Sequence, residues 1–337
     1  MRPAFAAFLA LITAALAAQP ARANDSIAEL ATGGLVLTRS AEIEMAREDL
    51  RISPDRIEVD YVFRNRSARD IAATVAFPMP EIGGPDGDMF AIPDRAANFL
   101  DFTVTQDGRA ITPALEARAF AGEREVTALL AEAGVPLLPV DPGISAALDR
   151  LPAEMADDWA KQGLIRVEDY DDGTGMRAHR APQWTTRSTW SWQTVFPAKS
   201  DIHVAHSYRP SLGGSAGLNF VDYTTMRTGG AELADYRRRY CMDDAFLAAV
   251  DRRHADAQGA LSELRLAYVL GTGANWAGGR IGEFTLTVDK KWPDALVSFC
   301  GTGVEAVGPT RFRMTARDFT PPPLLEILIV APPAAFD

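Results

Sequence analysis

Ile57-Glu58-Val59-Asp60-Tyr61-Val62-Phe63-Arg64-Asn65 is the stretch that decides the fold. Ile57, Val59, Tyr61 and Phe63 fall on one side of a period-two alternation, and Glu58, Asp60 and Arg64 fall on the other. That is the pattern of a strand with one face buried and one wetted. Ser53-Pro54-Asp55 before it and the polar run from Asn65 to Asp70 after it read as turns. Ile71, Ala73, Val75 and Phe77 resume the alternation, and Leu100, Phe102 and Val104 repeat it. Asp107-Gly108 then marks a tight hairpin, because both residues tolerate positive φ. Strands this close together with no helix between them pair antiparallel and imply a sandwich.

Working outward, the pattern changes at Phe120. Val126, Leu129, Leu130 and Ala133 fall at helical spacing before Gly134 and Pro136, and Met155 with Trp159 forms an i,i+4 pair before Gly163. These residues predict a helical insertion over about 120–180, packed as a plug at one end of the sandwich or poised as a lid over a ligand. Strands return with Trp190, Trp192 and Phe196, then Ile202, Val204, His206 and Tyr208. A helical stretch at about 231–256 leads into strand-like runs at Leu264–Leu270, Ile281–Val288, Leu296–Cys300, Phe312–Met314 and Leu324–Val330. The expected fold is mainly β: two antiparallel β-sandwich-like lobes, residues 24–216 and 217–337, with the helical insertion in the first and the helical connector opening the second.

The first residues read as a secretory leader. Arg2 is followed by an apolar run from Phe5 to Ala18 and by Ala21-Arg22-Ala23, which places cleavage between Ala23 and Asn24. The apolar run is shorter than the ~20 residues a spanning helix needs, and Pro20 follows it. The mature chain is therefore expected in the periplasm, without a membrane span. Formal net charge is −11, and removing a leader with two arginines and no acid makes it more negative. This balance argues against a nucleic-acid or anionic-membrane partner, which calls for clustered Lys and Arg. Cys241 and Cys300 are the two cysteines, an even count that in an oxidising compartment predicts a structural disulfide; two separate buried thiols are the alternative.

Short motifs along the mature chain carry a resemblance. Asn24-Asp25-Ser26, Gly33-Gly34-Leu35-Val36-Leu37, Phe77-Pro78-Met79-Pro80, Tyr240-Cys241, Gly273-Ala274-Asn275-Trp276, Ser298-Phe299-Cys300 and Asp318-Phe319-Thr320-Pro321 resemble the bacterial domain-of-unknown-function family 4424. The resemblance implies an exported protein and supports the cysteine pair, and it brings no activity with it. Tyr61-Val62-Phe63-Arg64-Asn65, Phe77-Pro78-Met79-Pro80 and the Val204–Tyr208 strand are also similar to the vault and inter-alpha-trypsin-inhibitor sandwich, a non-catalytic module. That likeness is at the level of fold, and fold does not carry function.

Four constellations along the chain bear on chemistry. Gly213-Gly214-Ser215-Ala216-Gly217 matches G-x-S-x-G, but neither a buried strand before it nor a helix after it is evident, so it reads as a loop. His203 and His206 point to opposite faces if they lie on a strand, so they do not form a metal pair. The acidic run Glu168-Asp169-Tyr170-Asp171-Asp172-Gly173 fails the EF-hand pattern at its sixth and twelfth positions and reads as a solvated loop. Trp184, Trp190, Trp192 and Trp276 are the binding candidates, since exposed tryptophans on a β face stack on sugars or grip a partner, although core packing explains alternating aromatics equally well. No catalytic residue, metal site or cofactor follows from the sequence.

The expectation is thus a non-catalytic binding or structural module of the envelope, acting on an envelope protein or glycan. A hydrolase with an inter-lobe cleft and a small-ligand carrier with a helical lid are the alternatives.

Overall fold

The computed structural model describes residues 26–333 apart from 32–33, 39, 80, 85–97, 99, 172, 174 and 258–259. The leader and its junction at Ala23 and Asn24 lie outside the described residues.

Strands β1 (Ser26–Ala31) and β2 (Gly34–Thr38) precede the long strands β3 (Ile43–Ile52), β4 (Ile57–Asn65) and β5 (Ile71–Pro78) and the short β6 (Ile82–Gly83). Next come β7 (Thr103–Gln106), β8 (Arg109–Ile111), β9 (Ala114–Ala121) and β10 (Arg124–Glu125). Helices α1 (Thr127–Glu132), α2 (Ile144–Asp149) and α3 (Ala153–Lys161) are followed by a hairpin of β11 (Ile165–Asp171) and β12 (Met176–Pro182). The chain returns through β13 (Thr185–Phe196), β14 (Asp201–Tyr208), β15 (Gly213–Ser215), β16 (Val221–Asp222) and β17 (Arg227–Thr228). Helices α4 (Leu233–Tyr240) and α5 (Asp244–Asp256) then lead to β18 (Ser262–Tyr268), β19 (Ile281–Asp289), β20 (Leu296–Phe299), β21 (Glu305–Ala306), β22 (Arg311–Phe319) and β23 (Leu325–Ala331).

The protein is mainly β, and its main body is sandwich-like. An eight-stranded sheet runs in the order β21-β22-β19-β3-β4-β14-β7-β8, and a second sheet runs β10-β9-β13-β5-β1-β2 with β6 beside β13. Alternation in β4 sends Ile57, Val59, Tyr61 and Phe63 inward, all essentially fully buried. The two sheets meet across the core: the Phe63 ring of β4 packs 6.1 Å from Phe196 of β13, and Phe77 of β5 lies 5.5 Å from Tyr208 of β14. A four-stranded sheet, β15-β18-β23-β20, covers the other part of the same inner face, where the Tyr61 and Tyr268 hydroxyls meet at 3.1 Å. Its far side packs Leu328 and Val330 against Tyr236, Tyr240 and Val250 of α4 and α5.

The sequence places a boundary near Gly217, but the structure runs one sheet across it. β19 pairs in parallel with β3, from Ile281 opposite Met45 to Val288 opposite Ile52. One hydrophobic cluster accordingly draws residues from Ile43 through Ala331. The two strand blocks complete a shared core because neither can cover the inner face of the eight-stranded sheet alone.

The insertion also differs from a purely helical one. α1, α2 and α3 are short and bury Leu130, Leu148 and Trp159 with Trp184 in a small core of their own, while residues 165–182 form the β11-β12 hairpin. Val167 and Tyr170 on that hairpin are exposed, so no buried stripe announces a strand there. Cys241 and Cys300 form a disulfide that ties the end of α4 to the segment following β20. Closing a loop of 59 residues stabilises by about 4 kcal/mol in the chain-entropy model.

Candidate functional site

The outward side chains of the eight-stranded sheet lie in rows fixed by strand register. Arg317, Glu283, Arg47, Val62 and His203 form one row across β22, β19, β3, β4 and β14. Thr315, Thr285, Asp49, Asp60, Ala205 and Thr105 form the next, reaching β7. Arg313, Thr287, Arg51, Glu58, Ser207 and Thr103 form the third. Charged and hydroxyl side chains thus cover this face, most of them exposed or half-buried.

Ion pairs hold much of this surface in place. Arg64 grips Asp201 with two parallel bonds, Nε to Oδ1 at 2.7 Å and Nη2 to Oδ2 at 2.8 Å. Glu44 accepts from Arg66 Nε at 2.5 Å and lies 3.6 Å from Arg64. The Arg64 hydrogen bond holds the Asp201 carboxyl below its usual range. Each pair is solvent-facing, so each is worth less than about 1 kcal/mol, and their role is to set geometry.

A β-bulge shapes one end of the face. The β3–β4 register slips between Met45 and Arg47, and a Cβ on Gly282 would sit 2.6 Å from the Ala46 carbonyl oxygen. Glycine is therefore required where β19 passes the bulge. Above it opens a cavity of about 630 Å³ lined by Arg47, Arg64, Arg66 and Arg280 against Glu44, Asp201, Glu283 and Asp318, a balanced set of charges, with His203 beside them. A second cavity of about 430 Å³ lies toward the other end, between Arg51, Arg56, Glu58, Thr287, Asp289, Arg311 and Arg313. The bulge displaces backbone locally, as bulges beside functional surfaces commonly do.

The tryptophans are elsewhere. Trp190 and Trp192 share the inward face of β13, and Trp184 just before it packs in the insertion's core; Trp184 and Trp192 are buried, and Trp190 is half-buried with its ring 5.5 Å from Phe102 in a parallel stack. Trp276 is buried with its ring 4.4 Å from Phe63. Trp184, Trp192 and Trp276 are thus taken up by packing, and Trp190 is half-buried against Phe102. Trp184 donates its indole N–H to the Leu137 carbonyl at 2.8 Å, tying the insertion to the sandwich.

The remaining constellations also find structural places. His203 faces out and His206 faces in, where burial lowers its pKa to about 3 and the Phe77 ring lies 4.4 Å away. Ser215 ends the three-residue edge strand β15 opposite Glu263 and is followed by a bend, not a helix. Glu263 is itself buried; it accepts from the Tyr236 hydroxyl at 2.6 Å and from Asn219 Nδ2 at 3.2 Å, and burial pushes its pKa up. Glu168–Asp171 of the acidic run form the end of strand β11 and not a loop, and Asp171 Oδ1 accepts from the Gly173 and Gly175 amides. Trp159 lies in the insertion's own core, whereas Met155 on the same helix is exposed.

Comparison with known proteins adds the family and a remote structural likeness. The model of the family described as Domain of unknown function (DUF4424) matches residues 23–328. No curated protein matches the chain. Among solved structures, a candidate nutrient-binding protein from Legionella pneumophila subsp. pneumophila str. Philadelphia 1 is similar at 14% identity and a TM-score of 0.43, over 92% of this chain and 72% of that one.

Proposed function

We propose, for a chain that belongs to the DUF4424 family, that it is an exported periplasmic binding module of the cell envelope, working without catalysis through the outer face of its eight-stranded sheet. The observation that supports this reading is the contrast across that sheet: inward residues are locked in the core, while outward Arg, Asp, Glu and Thr are set in register and left open to solvent. Its partner is an envelope protein or glycan that meets a rigid, hydrogen-bonding surface. Rigid strands present such groups at low ordering cost, which favours binding.

Crosslinking in intact cells tests the reading. A photo-crosslinking residue at Thr315, exposed on β22 in the second row of the face, is expected to give a discrete adduct, and one at Met155 on α3 is expected to give none. Equal labelling at both positions, or none at Thr315, would remove the face as the working surface. Export is read separately, from a periplasmic fraction holding a chain that begins at Asn24; an uncut cytosolic chain would refute it.

A further inference from the structure

We propose that the cleft between β3, β4, β19 and β22 is a binding site for an oxyanion, a phosphate or carboxylate group carried by the ligand of the outer face. This inference rests on the reading of that face as the working surface and goes on to name the chemistry it takes.

The cleft is a cavity of about 430 Å³, within the range of small-molecule sites. Arg51, Arg56, Arg311 and Arg313 line it with Glu58 and Asp289, and Asp49 and Asp101 beside it pair with Arg51 and Arg56. The larger cavity at the other end of the face balances its arginines with as many carboxylates. The smaller cleft differs in carrying an arginine, Arg313, that no carboxylate pairs among the described residues, and this marks it as the place for an anion.

Register gives the geometry. Thr287 on β19 stands directly between Arg313 on β22 and Arg51 on β3, so the two guanidinium-bearing positions flank it two strand spacings apart, roughly 10 Å. Thr287 is nearly buried and forms the floor. Arg311 is held by Asp289 at 3.2 Å, and Arg56 by Asp101 at 3.0 Å. Arg51 has only a 3.4 Å contact to Asp49, and the Arg313 side chain has no ion pair or hydrogen bond among the described residues. Three of the arginines are paired with carboxylates; among the described residues Arg313 is not so paired, and it stands across Thr287 from Arg51. A guanidinium fork matches the paired oxygens of a phosphate or carboxylate, and two forks converging from opposite sides would clamp one such group.

Calorimetric titration of the purified chain with inorganic phosphate and, separately, with succinate at low ionic strength tests this. Saturable binding of one anion per chain is expected, weakened at least tenfold by Arg313→Gln and by Arg51→Gln and changed less than twofold by Arg280→Gln in the other cavity. The stronger of the two titrants identifies the group. In the unaltered chain, the amide resonances of Thr287 and Arg313 are expected to shift with the titrant while Gly278 stays fixed, a readout that needs no variant to fold. No saturation by either anion, equal loss with Arg280→Gln, or shifts centred on Gly278 would each overturn the site. If anion binding is absent while the Thr315 adduct persists, this inference falls and the face remains; if both are absent, both fall.

Discussion

The two faces of the eight-stranded sheet are built from the same strands and differ in almost every physical respect. Inward residues such as Tyr61, Phe63, Val204 and Phe284 are removed from water, and the aromatic ones pack ring against ring. Outward residues one position away, Asp60, Arg64, His203 and Glu283, remain exposed. The inner face therefore holds nearly all of the sheet's share of stability, by area burial of ~25 cal/mol per Å². The outer face is free to vary its chemistry at small cost to folding, and that freedom is what a recognition surface needs.

Substitutions can break or sharpen this division. Trp276→Ala, which empties a position beneath Phe63 and Phe196, is expected to cost ~3–5 kcal/mol in urea unfolding. A loss comparable to that of an outer-face change would end the distinction. His206 supplies a pH test from the same inner layer. Its folded pKa, about 3, lies below the ordinary 6.5, so the unfolded chain takes up a proton in this window and the folded one does not. Stability is fully present above pH 6.5 and falls as pH drops toward 3, by up to ~1.4 kcal/mol per pH unit from this group. His206→Phe should flatten that slope relative to the parent in pH-dependent melts; identical slopes would place the histidine outside the dry layer.

Gly282→Ala probes the seam between the faces. Its added methyl meets the Ala46 carbonyl at 2.6 Å, and a loss of about 1–3 kcal/mol is expected, with amide shifts concentrated at the bulge. A neutral effect would show that the bulge adapts freely. Smallest is Arg64→Ala on the outer face, expected to cost less than about 1 kcal/mol and to become undetectable in high salt. A large, salt-independent loss would mean that the outer lattice is structural after all.

How much of this was legible depends on whether burial is one-sided. β4 and β14 are readable because one face is dry and the other largely wet, and Asp107-Gly108 is readable because the turn requires φ of 48° and 75° there. β3 is hidden: the bulge at Ala46 shifts the phase, so Ile43 and Met45 are out of step with Leu50 and Ile52, and buried Glu48 takes an apolar place. The β11-β12 hairpin is hidden for the opposite reason, since both its faces are wet and no period survives. The tryptophans were visible as a group, but their side of the sheet was not, because exposed and buried aromatics share one period. The outer face could be foreseen only as the polar half of each alternation. Its rows depend on which strands are neighbours, and sequence spacing does not give the pairing of β19 with β3.

That pairing sets an order of events in synthesis. β3 is made early, and its neighbour β19 is made only after most of the chain exists. Until Ile281 and the residues after it arrive, β3 presents an unpaired edge, the kind of template that recruits another chain into an aggregate. A nascent or truncated chain lacking its last third would therefore need a holding partner, and the long-range closure makes late, slow folding the rule for this topology.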